Sequence, residues 1–97
     1  MPTYVALMNW TDQGVKNVKQ TVQRAGENRS ALEKMGVKLH TIYWTQGMYD
    51  LVAIFDAPDE QTASAALLAG ASAGNFRTQT LRAFSEREMQ QVIQKMG

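Results

Sequence analysis

Polar and aromatic side chains crowd one short segment of the chain, TIYWTQGMYDLVAIF, which runs from residue 41 to residue 55. Trp44, Tyr49 and Asp50 lie close to Gly47, which has the residue type and position of a hairpin bend between two strands. Such a bend needs the glycine, but it does not need a carboxylate and several aromatic rings. The segment is therefore either a packed turn, the wall of a small-molecule site, or both.

Asp50 and His40 are the titratable groups of this region that suit acid–base chemistry. In a functional role the carboxylate of Asp50 holds a ligand amine or acts as a base. In a structural role it accepts hydrogen bonds from the amides of the turn or pairs with an arginine. His40 is the only histidine, and it is either a general base, an axial haem ligand or a structural side chain. If no bulge intervenes in the predicted strand, the side chain of His40 lies on the same side of the sheet as those of Ile42 and Trp44. For both groups the structural role is the more common one.

Further side chains could complete a pocket around the hairpin. Trp10 ends the first apolar segment, and aromatic rings at strand ends either wall a pocket or pack an interface between subunits. Arg82 shares a strand side with Phe76 and Phe84, which places it near the interior of a barrel. With Gly47 as the structural turn, the candidate ligand-binding residues are Asn9, Trp10, His40, Trp44, Tyr49, Asp50 and Arg82.

The composition excludes several classes of function. Ten Lys and Arg residues against nine Asp and Glu residues leave a formal net charge of +1, without a run of like charges, so no nucleic-acid surface is expected. The chain has no cysteine, which excludes disulfides and thiol chemistry, and a single histidine argues against a zinc site. No phosphate-binding loop follows a predicted strand. We therefore predict neither a metal nor a cofactor.

The N-terminal residues, MPTYVALMNW, lack the basic and then apolar pattern of a signal peptide. No apolar segment approaches the roughly 20 residues that a membrane-spanning helix needs. We therefore expect a cytoplasmic protein without a membrane partner. Its 97 residues predict a single domain, 1–97.

The periodicity of apolar residues predicts the order β-α-β-β-α-β, followed by a C-terminal helix. The first helix is expected from Thr11, its N-cap, to about Met35, with Gly26 as a bend or a break. The strands are expected at Thr3–Trp10, Val37–Thr45, Tyr49–Asp56 and Asn75–Phe84. The apolar stripe expected on the first helix is Val15, Val18, Val22, Ala25 and Leu32.

The two later helices carry clear end signals. Asp59 and Glu60 suit the positive end of an alanine-rich helix, and Gly74 closes it. Ser85 and Glu88 form a capping box before the last helix. The apolar stripe of that last helix is Met89, Val92, Ile93 and Met96, at helical spacing.

This order of elements is that of an α+β, ferredoxin-like βαββαβ domain with a four-stranded antiparallel sheet. Its helices cover only one face of the sheet. Both sides of the first and last strands carry apolar groups, so the uncovered face is expected to pack on a second copy. We therefore predict at least a homodimer, in the form of a dimeric α/β barrel.

Three segments, YVALMNWTDQG, IYWTQGMYDLVAIFDAPD and NFRTQTLRAFSEREM, together resemble the GYD-domain family of small bacterial and archaeal proteins. The Gly-Tyr-Asp signature of that family appears here with Met48 inserted between Gly47 and Tyr49. The resemblance covers essentially the whole chain. It implies a ferredoxin-like protomer of the dimeric α/β-barrel type, and it implies no particular reaction.

The segment TQGMYDLVAIF is also similar to the Thr-Gly-x-Tyr-Asp hairpin in the effector-binding domain of leucine-responsive-type transcription regulators. In those proteins the turn helps to form a small-molecule site at a subunit interface. Small monooxygenases that act on aromatic substrates without a cofactor share the barrel. Two functions are therefore open. One is a homo-oligomeric small-ligand-binding or structural module, and the other is a cofactor-independent monooxygenase or isomerase acting on a small hydrophobic or aromatic compound in the barrel.

Overall fold

The computed structural model describes residues 1–97 and contains one antiparallel sheet of four strands in the order β2-β3-β1-β4. The strands are β1 (Thr3–Trp10), β2 (Lys38–Trp44), β3 (Leu51–Asp56) and β4 (Phe76–Ala83). The helices are α1 (Asp12–Lys16), α2 (Thr21–Lys34), α3 (Glu60–Ala71) and α4 (Glu86–Gln94). The predicted α+β class and the four-stranded antiparallel sheet are confirmed.

The core lies between the sheet and the helices α2 and α3, on the side that we call the helix face. β1 and β3 contribute alternate residues to it, because successive side chains of a strand point to opposite sides. α3 contributes the small buried side chains of Ala63 and Ala66. The ten apolar residues of the core are Tyr4, Ala6, Met8, Val37, Leu51, Ala53, Phe55, Ala57, Ala63 and Ala66.

The opposite side of the sheet, which we call the open face, has no helix layer. The molecule is only 18 Å thick in its shortest dimension, which suits one sheet and one layer of helices. Val5 and Leu7 of β1 point to the open face beside Ile54 and Val52 of β3, and all four are only half-buried. Leu81 of β4 is 48% exposed on the same side. A broad apolar surface is therefore open to a partner.

The single helix predicted between β1 and β2 is in fact two helices. A short 3-10 turn, Val18–Gln20, separates α1 from α2, whereas Gly26 lies inside an unbroken α2. The predicted apolar stripe is also wrong at two positions, because Val15 is 55% exposed and Val22 is 70% exposed. Because the 3-10 turn interrupts the α-helical repeat, the residues before and after it do not share one helix face.

Gly14 joins α1 to the residues that lead into β4. The hydroxyl of Thr11 accepts a hydrogen bond from the Gly14 amide at 3.1 Å and donates one to the carbonyl of Gly74. The Thr11 amide donates to the carbonyl oxygen of Asn75 at 3.1 Å. A Cβ atom on Gly14 would lie 1.9 Å from that same carbonyl oxygen, so the close approach requires glycine.

α4 begins at the predicted capping box, in which Ser85 and Glu88 exchange side-chain to backbone hydrogen bonds of 3.1 Å each. Its apolar stripe is not covered by the rest of the chain. The exposed fractions along the stripe are 46% for Met89, 38% for Val92, 52% for Ile93 and 80% for Met96.

No helix of the protein has the length and apolar character needed to cross a membrane.

Candidate functional site

The hairpin between β2 and β3 is held by short hydrogen bonds within the turn. Gly47 has a φ of 108°, in the left-handed region that favours glycine. The hydroxyl of Thr45 donates to the carbonyl oxygen of Tyr49 at 2.6 Å. The Thr45 amide donates to the carbonyl oxygen of Asp50 at 2.8 Å. Gly47 therefore provides the bend, and Thr45 closes the turn across it.

Asp50 and Asn9 fasten the hairpin to the end of β1. The Oδ2 atom of Asp50 accepts the Trp10 amide at 2.9 Å, and the Asp50 amide donates to the carbonyl of Met8 at 2.9 Å. The Nδ2 atom of Asn9 donates to the carbonyl of Met48 at 2.7 Å. The carboxylate of Asp50 thus accepts a hydrogen bond from a backbone amide, and that amide belongs to β1 rather than to the turn.

Tyr49 and Trp44 lie on opposite sides of the sheet. The hydroxyl of Tyr49 donates to Oε1 of Gln79, which points to the open face from β4, at 2.9 Å. The indole N–H of Trp44 donates to the hydroxyl of Thr21, at the start of α2, at 2.9 Å. The two rings therefore do not form the walls of one pocket within this chain.

His40 lies at a β-bulge, where the register between β2 and β3 shifts between Leu39 and Thr41. The bulge turns His40 away from the helix face that Ile42 and Trp44 share. The condition that no bulge intervenes is therefore not met, and His40 does not share the side of the sheet on which Ile42 and Trp44 lie. His40 lies instead on the open face, at the end of the sheet remote from the hairpin.

A chain of three side chains crosses the sheet at that remote end. The Nε2 atom of His40 lies 2.8 Å from Oδ2 of Asp56, and Oδ1 of Asp56 accepts the hydroxyl of Thr3 at 2.7 Å. The carboxylate therefore separates the imidazole from the hydroxyl. A nucleophilic hydroxyl needs the imidazole as its direct neighbour, so this order of groups does not activate Thr3.

The pKa of Asp56 is lowered from its ordinary value. Burial alone would raise it, but the hydrogen bonds from Thr3 and His40, with the charges of His40 and the N-terminus, outweigh burial. The pKa in the folded state is thus below the value of about 3.9 in the unfolded chain. The stabilisation from this carboxylate is therefore complete above the unfolded-state pKa and is lost as the pH falls through the folded-state pKa.

An Asp56→Asn variant is expected to remove the stability that the charged form of this carboxylate provides. At pH 7 it should lower the free energy of unfolding by about 1–3 kcal/mol, since a charged hydrogen-bond acceptor is lost. Below about pH 5, stability should fall less steeply with decreasing pH than in the wild type. Urea unfolding across this pH range measures both effects, and Thr3→Val, which removes one donor, should be intermediate. Equal pH slopes for D56N and the wild type would contradict the assignment.

Arg82 lies at the same end of the sheet as His40, on the other edge strand. Its guanidinium lies 4.5 Å from the ring centre of Phe84 and 5.7 Å from that of Tyr4. It donates to the carbonyl of Thr3 and forms an ion pair of 3.6 Å with Glu88 of α4. Because Arg82 pairs with Tyr4 in the register, it is on the helix face and does not point to the face that a barrel would enclose.

The seven predicted ligand-binding residues thus fall into two groups at opposite ends of the sheet. His40 and Arg82 are far from the hairpin, each on an edge strand. No three His, Asp or Glu side chains are grouped so that they could hold a metal ion. The group at the hairpin end consists of Asn9, Trp10, Trp44, Tyr49 and Asp50.

A cavity of about 210 Å³ lies between α2, α3 and the helix face of the sheet. Of its 21 lining residues 16 are hydrophobic, so its walls offer few hydrogen-bond partners to water. Trp10 is the only one of the seven predicted residues that lines it. The cavity is therefore a candidate site that differs from the barrel interior expected from the sequence.

Two polar residues of this cavity, Arg24 and Asn28 of α2, are not among the candidates predicted from the sequence. Both lie on the same side of the helix as Ala25 and Leu32, which were recognised as part of the apolar stripe. A signal was present, because residues 24 and 28 are four positions apart and therefore neighbours on a helix surface. A search for apolar periodicity does not register polar residues within the stripe.

The family model of the GYD domain matches residues 4–93. The "glutamine synthetase and cystathionine beta-lyase binding protein" of Thermus thermophilus is 36% identical over 84 residues, which cover 86% of this chain and 88% of that protein. The crystal structure of TTHA0845, also from Thermus thermophilus, has the same fold, with a TM-score of 0.55 at 24% identity, over 88% of this chain and 95% of that one. The chain therefore belongs to the GYD-domain family.

Proposed function

We propose that this protein is a homodimeric binding module of the cytoplasm that docks on partner enzymes and catalyses no reaction of its own. The observation that carries the proposal is the exposed apolar stripe of α4, which no other part of the chain covers. The relative named for binding glutamine synthetase and cystathionine β-lyase supports enzymes as the class of partner.

The open face is the proposed dimer contact. Only 11 of the 97 residues are buried, so the single chain has a small core. Half-buried Val5, Leu7, Val52 and Ile54 form a continuous apolar patch on the two central strands. A second copy packed on this patch, with the sheets about 10 Å apart, would add a second core. This arrangement is the dimeric α/β barrel that the sequence predicts.

The form of α4 suits docking into a groove of another protein. Its four stripe residues follow the i, i+3, i+4, i+7 pattern by which an amphipathic helix inserts its apolar side into a partner. The capping box fixes the start of the helix, and the ion pair between Arg82 and Glu88 joins it to β4. Each dimer would present two such helices to an enzyme.

A cofactor-independent monooxygenase or isomerase is less well supported. A general base must reach the proton that it removes. The Asp50 carboxylate accepts the Trp10 amide, and His40 pairs with Asp56 at the other end of the sheet. The two groups lie at opposite ends of the sheet and therefore cannot act together on one substrate within this chain. Placement of the two candidate bases thus favours a binding module over an enzyme.

A Val92→Glu variant tests the docking surface. We expect it to weaken binding to glutamine synthetase or cystathionine β-lyase of the same organism at least about tenfold, because it places a charge in the apolar contact. Gln91→Glu makes the matching change in charge on the opposite side of α4 and should bind as the wild type does. Isothermal titration calorimetry measures the affinities, and light scattering verifies that both variants keep the wild-type mass.

Two results would contradict the docking proposal. If the wild-type protein binds neither enzyme at micromolar concentration, these enzymes are not its partners. If V92E and Q91E bind equally well, the stripe of α4 is not the contact surface.

A further inference from the structure

We propose that the cavity between α2, α3 and the helix face binds a small aromatic carboxylate, with one molecule per chain. The inference is independent of the enzyme-docking function, because the cavity lies within the protomer and includes no residue of the α4 stripe. It rests on the size of the cavity, on the aromatic rings in its wall and on a cation at its mouth that has no carboxylate partner.

The size of the cavity limits the ligand to one or two rings. An engineered apolar cavity of about 150 Å³ holds one benzene molecule. The volume of about 210 Å³ found here therefore has room for a single ring with a short side chain, or for a fused pair of rings. Ala25 of α2 and Ala66 of α3 leave this space open, since each contributes only a methyl group to the wall.

Two aromatic rings form part of the cavity wall. Trp10 and Phe76 are paired across β1 and β4, so their side chains lie on the same side of the sheet. Gly70 of α3 lies close to this pair, because a Cβ atom on it would be 3.0 Å from the Phe76 ring. Aromatic side chains contact a ring ligand through stacked or edge-to-face packing, which favours a ring over a linear chain.

The mouth of the cavity carries a positive charge without a carboxylate partner. Arg24 is partly buried, and its Nη1 atom donates to the carbonyl of Asn17 at 2.7 Å. The only ion pairs of the protein involve His40 and Arg82, so the guanidinium of Arg24 is free to pair with an anion. A guanidinium presents five N–H donors, and a carboxylate is the planar anion that it binds with two of them.

Amide groups beside Arg24 complete a polar rim. Asn28 and Asn75 both line the mouth and can donate to a ligand oxygen. Glu27 also lies at the mouth, where its Oε1 atom accepts a hydrogen bond of 3.3 Å from the Nε2 atom of Gln23 in the same helix. The rim thus contains one guanidinium, one carboxylate and two amides around an apolar interior, and the guanidinium and the amides supply the N–H donors for an anionic group of the ligand.

Two tryptophans provide a direct signal for binding. Trp10 lines the cavity, and the indole N–H of Trp44 donates to Thr21, whose side chain is part of the lining. Indole-3-acetate and phenylacetate are the probes, and their neutral amides, indole-3-acetamide and phenylacetamide, are the matched controls. Phenylacetate and its amide are read by tryptophan fluorescence, and all four compounds by saturation-transfer NMR and calorimetry. We expect one acid molecule per chain, bound at least about fivefold more tightly than the amide.

Variants of α2 separate the contributions of charge and volume. Arg24→Gln should weaken binding of the two acids about tenfold and leave the affinity for the amides unchanged. Arg29→Gln, on the same helix but outside the cavity, should have no effect. Ala25→Leu should abolish binding of acids and amides alike by filling the space, whereas Val22→Leu, on the exposed side, should not. Circular dichroism verifies the fold of each variant.

Several results would overturn the proposal. The first is that no probe binds the wild type at millimolar concentration. The second is that R24Q binds the acids as well as R29Q does, a result that does not depend on whether A25L folds. The third is that a folded A25L variant still binds. The fourth combines two observations: no probe binds the wild type, and the A25L variant has a different oligomer mass from the wild type. That result would mean that the cavity receives a side chain from another copy of the chain.

Discussion

A Gly14→Ala variant is expected to lose about 3 kcal/mol or more of its free energy of unfolding. The new Cβ atom would lie 1.9 Å from the carbonyl oxygen of Asn75, which is a backbone atom and cannot rotate away. The junction between α1 and β4 must open to relieve this contact. Opening breaks the hydrogen bond from the Thr11 amide to Asn75. Domains of this size have about 5–15 kcal/mol in total, so much of the protein would be unfolded at moderate temperature.

Gly26→Ala is the matched control for this substitution. Gly26 lies inside α2, and nothing comes within 4 Å of the Cβ position there. Alanine has the higher helix propensity, so this variant should gain about 0.5–1 kcal/mol. Urea unfolding compares both variants with the wild type. If G14A is as stable as the wild type, the close contact between α1 and the start of β4 does not exist in solution.

An Ile54→Arg variant is expected to convert the proposed homodimer into a monomer. Ile54 is in the middle of the open-face patch, on the central strand β3. Two copies packed there would bury the arginine without a counter-charge, at a cost of several kcal/mol in each copy. Light scattering should give twice the chain mass of 10.8 kDa for the wild type and a single chain mass for I54R.

Ser64→Arg adds the same side chain on the exposed side of α3 and should leave the dimer intact. The melting temperature gives a second measurement, because a dimer becomes more stable as protein concentration rises and a monomer does not. A wild-type protein that is monomeric at micromolar concentration would remove the barrel. An I54R variant that stays dimeric would place the contact on another surface.

The strands could be predicted well because their signals are local. The bounds of β1 agree with the prediction, Thr3–Trp10, and those of β4 differ by one residue at each end. Alternation of apolar residues and the turn signals on either side are enough to find such strands. The capping box of α4 was predicted for the same reason, since Ser85 and Glu88 interact across three positions.

The missed features depend on contacts that are distant in the sequence. The bulge at His40 is set by how β2 pairs with β3, and no residue type in β2 marks the extra position. The break at Val18–Gln20 likewise follows from the way in which α1 joins the start of β4 and α2 crosses the sheet. Arg24 entered no prediction because a polar side chain within an apolar stripe adds nothing to the apolar periodicity, and its place at the cavity also depends on how α2 lies against the sheet.

The strand order has a consequence for the time at which this protein folds. β1 is synthesised before the other three strands of the sheet, yet it lies between β3 and β4, and its residue Thr3 pairs with Ala83 of β4. Ribosomes add about 5–20 residues per second, so one edge of β1 stays without its partner for several seconds. Contacts between such distant residues also slow folding. The sheet is therefore completed only after β4 has been synthesised, and chaperones that bind nascent apolar strands would find β1 accessible until then.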